Sequence, residues 1–396
     1  MQTQKRERMP KKPRETKVPA AFNAFTVDLF KKVCPIKDNA FISPFSVAIA
    51  LSMAFIGAKG ATADEMAKVM HLTFDENILS RGVLDILESI RTSDPQMKDK
   101  LNIANAIWIK QGFDLLPAYA ERVKDQFKGA AFVVDFSLTE PTRARINAWV
   151  SEQTQGKIPE LIPHGLPDPT SKMVITNAIY FLGTWSDPFI KKFTKAMPFY
   201  QLSGEQVSVS MMCKMIFCAY AENESVQYIE LPYHGDAMVM GIILPRRQDG
   251  LPAIEKELSV GYLGSLARRS NRQAVNVYLP RFKLDSTYGL ENVLQAMGML
   301  LAISENGDFS GITGKPEAVI STIIHKAFVD VYEEGTEAAA ATVIMMTPPT
   351  RAPNQQLPPP PPIFKADHPF TFIIKETRTN AFLFIGHVLL PPTATT

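Results

Sequence analysis

Residues 325–342 read HKAFVDVYEEGTEAAAAT, and the character of the chain changes in the middle of this stretch. The first part belongs to a run of β-branched and aromatic residues over 319–334, which predicts a strand. The second part, from Gly335 to Thr342, contains a glycine, two threonines and four consecutive alanines. Alanine is the best helix former, so this part by itself fits either a short helix or an extended segment with small side chains.

The thirty residues from Glu333 to Pro362 contain no obvious core element, although strand patterns lie on both sides of them. Downstream, FTFIIKE at 370–376 and AFLFIGHVLL at 381–390 predict a C-terminal hairpin. A long segment without secondary structure is unusual inside a compact domain and usually has a function. The sequence therefore predicts a functional loop over about residues 333–362.

The first part of this loop has the composition of a strand that can enter a sheet. Proline is absent from Val331 through Thr347 and follows at Pro348, and a central strand does not accommodate proline. Side chains alternate between the two faces of a strand, which places Glu337 opposite an uncharged set: Thr336, Ala338, Ala340, Thr342 and Ile344. The strand-compatible residues from Thr336 to Thr347 span about 40 Å, which is long enough to cross a large sheet.

Helical patterns come early in the chain and strand patterns come late. Helices are predicted over residues 21–33, 45–56 and 141–158, and the almost wholly apolar 45–56 is expected to be buried in the core. Strands are predicted over residues 100–110, 173–181, 225–233, 237–245 and 274–282. Regular βαβ alternation is absent from the pattern, which favours an α+β fold.

Composition argues against several classes of protein. The 396-residue chain is 46% hydrophobic and has a formal net charge of +2, so neither a nucleic acid nor a membrane is expected as a partner. Residues 1–20 hold seven basic and two acidic side chains, and they are predicted to form a disordered tail before a single domain over 21–396. The sequence has no run of the roughly 18 apolar residues that a membrane span needs.

The sequence has no short motif typical of a disulfide framework, a metal site or an enzyme. The three cysteines are expected to be buried, reduced thiols, and neither HExxH nor CxxC occurs, so no cofactor is expected. GDFSG at 307–311 lacks the GxSxG spacing of a serine hydrolase. The basic N-terminus is followed by prolines instead of the apolar run of a secretory signal, which predicts a cytoplasmic protein. Secretion by another route, or from an incomplete N-terminus, stays open.

Seven motifs, in order along the chain, resemble those of the serpins. They are FISPFSVAIALSMAFIGAKGAT at 41–62, NAWVSEQTQGKI at 147–158, ITNAIYFLGTW at 175–185, LPRF at 279–282, DFSGIT at 308–313, HKAFVDVYEEGTEAAAAT at 325–342, and DHPFTFII with AFLFIGHV within 367–388. The resemblance covers nearly the whole chain after Ala20. It implies a monomer with three β-sheets, eight or nine helices and an exposed reactive-centre loop over about 333–362.

The serpin resemblance implies a suicide-type inhibitor of serine or cysteine proteases. In such an inhibitor the protease cuts the loop and forms an acyl-enzyme, and the freed loop then inserts as a new strand in the central sheet. Two alternatives are a non-inhibitory serpin that acts as a chaperone or carrier, and an interaction protein recognised through the stiff Pro358–Pro362 run. The small side chains after Gly335 favour the inhibitor, because non-inhibitory members tend to have bulky or charged residues there.

The resemblance also implies roles for three groups of residues. The hinge, where insertion begins, comprises Glu333, Glu334, Gly335, Thr336, Glu337, Ala338, Ala339, Ala340, Ala341 and Thr342. The shutter, a cluster under the central sheet, comprises Ser43, Ser46, Asn177 and His325, with the histidine as a buried core group and not a catalyst. The breach, where the loop first enters the sheet, comprises Trp185, Arg281 and Glu333.

Three positions are candidates for the bond that the protease cuts. Counting from Gly335 as in the family places the cut between Pro349 and Thr350, but few proteases cut after proline. Arg351–Ala352 is the favoured bond, because Arg351 is the only basic residue between Gly335 and Lys365 and suits a trypsin-like protease. Met345 and Met346 are the alternatives for elastase-like or chymotrypsin-like proteases.

Overall fold

The computed structural model describes residues 17–90, 100–336 and 359–394. These residues form ten α-helices, one or two more than the resemblance implies, and fifteen strands, so the α+β class is confirmed. The helices are α1 (Lys17–Val33), α2 (Pro44–Phe55), α3 (Gly60–Val69), α4 (Glu76–Ile90), α5 (Pro117–Phe127), α6 (Thr139–Gln153), α7 (Leu251–Glu257), α8 (Val260–Arg269), α9 (Glu291–Met297) and α10 (Ser310–Thr313).

The strands divide between two hydrogen-bonded sheets. The six-stranded sheet has the order β10 (Phe282–Gly289), β11 (Ile320–Tyr332), β12 (Gly335–Thr336), β4 (Met173–Thr184), β2 (Lys100–Lys110) and β3 (Ala130–Val134). The nine-stranded sheet has the order β1 (Ala40–Ile42), β15 (Phe382–Val388), β14 (Phe370–Glu376), β8 (Met238–Pro245), β7 (Val226–Pro232), β6 (Gln206–Glu222), β9 (Asn271–Pro280) and β13 (Ile363–Lys365), and β5 (Lys195–Tyr200) also pairs with β6.

The nine-stranded sheet accounts for two of the three sheets that the resemblance implies, because the 17-residue strand β6 belongs to both. The last residues of β6, Ala219–Glu222, pair with β7. Residues Met211–Tyr220 of the same strand pair with β9. Hydrogen bonding is therefore continuous from β1 to β13.

Helix α2 forms the centre of the core between the two sheets. It packs on β15 of one sheet and on β2 and β4 of the other, and every residue from Pro44 to Ala54 is buried. The side chain of Ser43 caps the helix by accepting a hydrogen bond from the backbone N–H of Ser46 at 3.2 Å, and proline occupies the first turn. The prediction of a buried core helix here is confirmed.

Helix α1 begins at Lys17, four residues before the predicted start. Its first turn belongs to the folded domain, because Val18 is almost fully buried and lies against Gly82 of α4. The predicted tail of residues 1–20 is therefore wrong for its last four residues. Local charge suggested a longer tail, but burial of Val18 and Pro19 outweighs the charge of Lys17.

Strands β4 and β11 are parallel neighbours that separate at one end. They pair directly from Met173 beside Ile320 to Tyr180 beside Phe328. Beyond that point β12 lies between them and is antiparallel to both. The six-stranded sheet thus already contains a two-residue strand at the end of a seam that is otherwise closed.

Candidate functional site

The strand β12 is held in a space that admits only glycine at its first position. Gly335 has φ +147°, and a Cβ atom there would lie 2.0 Å from the carbonyl oxygen of Gly183. Thr336 follows with its side chain fully buried, and its hydroxyl lies 2.9 Å from the hydroxyl of Tyr233. The two residues pair with Thr184 and Gly183 on one side and with β11 on the other.

The backbone just before β12 is fastened by Trp185 and its neighbours. The indole N–H of Trp185 donates to the carbonyl of Tyr332 at 3.0 Å, and its backbone N–H donates to the carbonyl of Glu334 at 3.0 Å. The backbone N–H of Phe189 donates to the carbonyl of Glu333 at 2.8 Å. The ring of Trp185 stacks on Tyr233 with centroids 4.6 Å apart, so one aromatic pair contacts both the turn and Thr336.

The carboxylate of Glu333 is fully buried and paired with Arg281. The guanidinium donates through Nε to both carboxylate oxygens at 3.0 Å and through Nη2 to Oε1 at 2.6 Å, and the Thr194 hydroxyl also donates to this carboxylate. Burial alone would raise the pKa of Glu333, but the hydrogen bonds from Arg281 and Thr194 outweigh burial and lower the pKa. Glu333 is therefore ionised at neutral pH.

All three residues assigned to the breach, Trp185, Arg281 and Glu333, surround the turn that leads into β12. Thr194 and Tyr233 belong to the same group but were missed from the sequence. Thr194 lies in a loop with no motif, and Tyr233 only closes a strand pattern. Neither carries a local signal, because each acts through a partner more than 100 residues away along the chain.

We expect Glu333→Gln to lower the free energy of unfolding by about 2 kcal/mol at neutral pH, because the Arg281 guanidinium loses its counter-charge and the amide nitrogen of Gln cannot accept a hydrogen bond. A lowered carboxylate pKa stabilises the fold above the ordinary glutamate value of about 4.3 and loses that effect as the pH falls through the lower folded value. The difference between wild type and variant should therefore shrink below about pH 4.3. Urea unfolding midpoints from pH 7 downward measure this.

The matched control for Glu333→Gln is Asp249→Asn, which disrupts the exposed pair between Asp249 and Arg247. An exposed ion pair contributes little, so the control should unfold like wild type at every pH. Equal midpoints for Glu333→Gln and wild type at neutral pH would contradict a stabilising role for the buried pair.

A buried polar cluster lies further along the same seam, between α2 and the six-stranded sheet. Asn105 of β2, Asn177 of β4 and His325 of β11 are direct neighbours in the strand register, so they form one row across three strands. Asn177 donates through Nδ2 to the hydroxyl of Ser46 at 2.5 Å and to the side-chain oxygen of Asn105. The hydroxyl of Ser43 donates to the carbonyl of Leu383 at 2.7 Å.

His325 is a neutral group with both ring nitrogens bonded. The backbone N–H of Ser43 donates to its Nε2 at 3.1 Å, so the ring proton is on Nδ1 and is donated to the side-chain oxygen of Asn177. Burial lowers the pKa of His325 to about 3. This environment agrees with a core histidine that has satisfied hydrogen bonds.

The four residues assigned to the shutter, Ser43, Ser46, Asn177 and His325, are therefore brought into one cluster. Asn105 is a fifth member that was missed. It occurs as a polar residue inside the apolar strand pattern KLNIANAIWIK, and such a residue indicates a hydrogen-bonding partner elsewhere in the fold, since buried amides are almost always hydrogen-bonded. Its own Nδ2 has no partner among the residues that the structure describes.

The remaining predicted site residues fall outside the described ranges. These are the hinge residues Glu337, Ala338, Ala339, Ala340, Ala341 and Thr342, and the candidate bonds at Met345, Met346, Pro349–Thr350 and Arg351–Ala352. They stay predictions. Across residues 17–90, 100–336 and 359–394, none of the helices has both the length and the apolarity to cross a lipid bilayer.

The fold and the sheet seam are those of a known class of α+β proteins. A sequence model of the family described as Serpin (serine protease inhibitor) matches residues 20–391. This chain belongs to the serpin family, and its general function within that family is protease inhibition, not catalysis.

Similarity to other members extends along nearly the whole chain. An uncharacterized serpin-like protein of Thermococcus kodakarensis is 39% identical over 96% of this chain and 87% of its own length. The leukocyte elastase inhibitor of Xenopus laevis is 38% identical over 94% of this chain and 99% of its own length. The crystal structure of Serpin48 from Tenebrio molitor is 32% identical and superposes with a TM-score of 0.85, covering 95% of this chain and 98% of that one.

Proposed function

We propose that this protein inhibits serine or cysteine proteases, with a trypsin-like protease favoured, by suicide cleavage of the loop between Thr336 and Pro359. The nucleophile of the protease attacks the carbonyl carbon of the scissile residue, and the peptide bond to the next residue breaks. The leaving nitrogen takes a proton from the protease, which leaves an acyl-enzyme. The freed N-terminal part of the loop then extends β12 into the seam between β4 and β11.

The observation that carries this proposal is the register of β12. Thr336 lies opposite Gly183 on β4 and opposite Val331 on β11. If the strand continues in this register, residue 346 reaches Met173, where β4 begins, and residue 347 reaches Ile320, where β11 begins. The proline-free segment ends at residue 347, so its length matches the seam that it would fill.

Hydrogen-bond geometry also favours insertion. The closed seam is a parallel pairing of β4 with β11. A strand inserted in the direction of β12 would replace this pairing by two antiparallel ones. Antiparallel pairing is slightly more stable per residue, and twice as many pairs form.

The register bears on the position of the cut. A cut after Met345 or Met346 would release a strand that ends before it reaches Ile320, the first residue of β11. A cut at Pro349–Thr350 or Arg351–Ala352 would release the whole insertable strand with two to four residues to spare. Arg351–Ala352 therefore stays the favoured bond.

Incubation with trypsin, elastase and subtilisin tests the proposed inhibition. We expect a covalent complex that survives SDS with at least one of them, and a C-terminal peptide whose mass identifies the cut bond. If every protease cleaves the loop and stays active, the proposed function is wrong.

We expect Arg351→Ala to abolish the complex with trypsin, because the variant no longer offers the long cation that a trypsin-like pocket binds. The rate of trypsin inhibition should fall by at least about 100-fold, which corresponds to the loss of a buried charged contact of about 3 kcal/mol. The matched control is Lys315→Ala, which removes an exposed cation just after α10 and should leave the rate unchanged. Unaltered trypsin trapping by Arg351→Ala would exclude Arg351–Ala352 as the cut bond.

A further inference from the structure

One face of the nine-stranded sheet is apolar and uncovered where β6, β9 and β13 lie side by side. Met215 of β6, Asn276 of β9 and Ile363 of β13 are direct neighbours in the register and so share this face. Phe217 lies two residues further along β6 on the same side. Met215, Phe217 and Ile363 are 59%, 61% and 58% exposed. We call these four residues with Tyr278 the outer sheet face.

The opposite face of the same strands is an ordinary buried face. Ile216 and Cys218 of β6 belong to the core together with Leu263 and Leu266 of α8. No element among the described residues covers Met215 or Phe217 in the same way. The alternation of buried and exposed residues along β6 is therefore that of a strand with one solvent face, but the solvent face carries large apolar groups instead of polar ones.

The exposed apolar residues are concentrated at this place. Nine large apolar side chains are exposed within the described parts of the chain, and four of them lie on or beside the outer sheet face. The fourth is Phe193, which lines a concavity of about 350 Å³ together with Met215 and Asn276. Scattered apolar residues need no explanation, but a contiguous group marks an interaction surface.

Cations surround the apolar group. Lys192 lies with its Nζ atom 5.0 Å from the ring centre of Phe193, and the guanidinium carbon of Arg272 lies 5.7 Å from that of Phe217. Lys195 lines the same concavity. Within the described ranges, Lys192, Lys195 and Arg272 have no carboxylate at ion-pair distance, so their charge is available to a partner.

Both ends of the proposed bait loop adjoin this surface. At its far end the chain returns through Pro362, whose carbonyl accepts a hydrogen bond from the backbone N–H of Asn276 at 2.9 Å, and then enters the outer sheet face as Ile363. At its near end Lys214, which lines the same concavity as Met215, donates to the carbonyl of Pro188 at 2.7 Å, and the next residue, Phe189, donates its backbone N–H to the carbonyl of Glu333. A protease bound to the loop is therefore tethered close to the outer sheet face from both sides.

We propose that the outer sheet face is a second contact surface for the target protease, one that takes an apolar side chain flanked by acidic side chains on the protease surface. The proposal rests on the proposed function and adds to it a determinant of protease choice. The contact accelerates encounter and orients the protease before the loop is cut. It has no part in the strand insertion that follows, so it sets the rate of inhibition and not its outcome.

The test measures the second-order rate constant of inhibition for the double variant Met215→Glu, Phe217→Glu. Its matched control is Leu138→Glu, Leu300→Glu, which introduces the same charges at two equally exposed apolar positions elsewhere. The protease is whichever of trypsin, elastase and subtilisin the wild type traps, and for trypsin both an anionic and a cationic isoform are used. Like charges placed against acidic groups should lower the rate for the anionic isoform by about tenfold, with the number of inhibitor molecules consumed per protease unchanged.

A second variant, Lys192→Ala with Lys195→Ala, tests the electrostatic component. In the wild type the rate should fall as the salt concentration rises from about 0.05 to about 0.5 M, and the variant should lose most of this dependence.

Three results decide against the proposal. Rates of the Met215→Glu, Phe217→Glu variant within twofold of the control would overturn the surface alone, since trapping would be intact. Failure of the wild type to trap any protease would overturn the proposed function and this surface together. A wild-type dimer in light scattering that the same variant dissociates would show that a second copy of the chain covers the face instead.

Discussion

Thr336→Arg is expected to convert the protein from an inhibitor into a substrate. Thr336 is fully buried between β4 and β11, with its hydroxyl 2.9 Å from that of Tyr233. An arginine at this position would have to leave the seam or place an unpaired charge inside it, and burial of such a charge costs several kcal/mol. The seam would then stay closed after cleavage, and the acyl-enzyme would hydrolyse before the strand could insert.

The measurement for Thr336→Arg is the amount of SDS-resistant complex and the number of inhibitor molecules consumed per inactivated protease. We expect the complex to disappear and the number consumed to rise by more than about tenfold, which corresponds to a change of at least about 1.4 kcal/mol in the partition between trapping and release. Cleavage of the loop should continue at the wild-type rate.

Glu337→Arg is the matched control, because alternation along a strand directs residue 337 to the opposite face from Thr336. The control should keep most of its trapping, since a charge already occupies that position. A Thr336→Arg protein that traps protease with wild-type stoichiometry would contradict insertion through this seam. If both variants lose protease trapping equally, the face of the strand on which the charge lies does not decide whether the strand inserts.

Asn177→Ala is expected to be the most destabilising single change in the polar cluster. Its amide bonds to Ser46 and to Asn105, and its side-chain oxygen accepts the Nδ1 proton of His325. Removal leaves the Nδ1–H of His325 without an acceptor, at a cost of about 1 to 3 kcal/mol, and takes one hydrogen bond each from Ser46 and Asn105, which keep only their mutual contact at 3.5 Å. We expect the free energy of unfolding to fall by roughly 4 kcal/mol.

The readout for Asn177→Ala is the urea unfolding midpoint together with light scattering on heating. Since the cluster joins β2, β4 and β11, its loss should also loosen the seam and promote aggregation at a lower temperature. Asn306→Ala, at an exposed turn, is the control and should behave like wild type. A variant at position 177 with wild-type unfolding and heating behaviour would show that the cluster does not hold the seam closed.

Much of the fold was predictable because strand and helix patterns are local. The strand predicted over 173–181 is observed as Met173–Thr184, and the helix predicted over 45–56 is observed as Pro44–Phe55. Some errors lie at element ends, whereas the longest strand, Gln206–Glu222, and helices such as Glu76–Ile90 were not predicted at all. The start of α1 was placed too late, because the sequence shows the charge of Lys17 but not the cover that buries Val18.

The candidate site was predictable only in part. Its named members follow from the serpin motifs, whereas Asn105, Thr194 and Tyr233 do not. Each of these joins the site through strand register or through a contact between distant parts of the chain. Periodicity within one segment carries no information about which row of a neighbouring strand a residue will meet.

The sequence by itself determined that the loop after Gly335 begins with a proline-free, small-residue segment that is compatible with a strand as far as Thr347. Composition and alternation suffice for that conclusion, because proline is excluded from a central strand wherever the strand lies, and alternation directs the single charge, Glu337, away from the uncharged set. Only the tertiary structure decided that the seam between β4 and β11 has the length of this segment. The register of β12 and the starting points of β4 and β11 set the length of the seam, and these depend on the pairing of β4 with two strands more than 100 residues further along the chain.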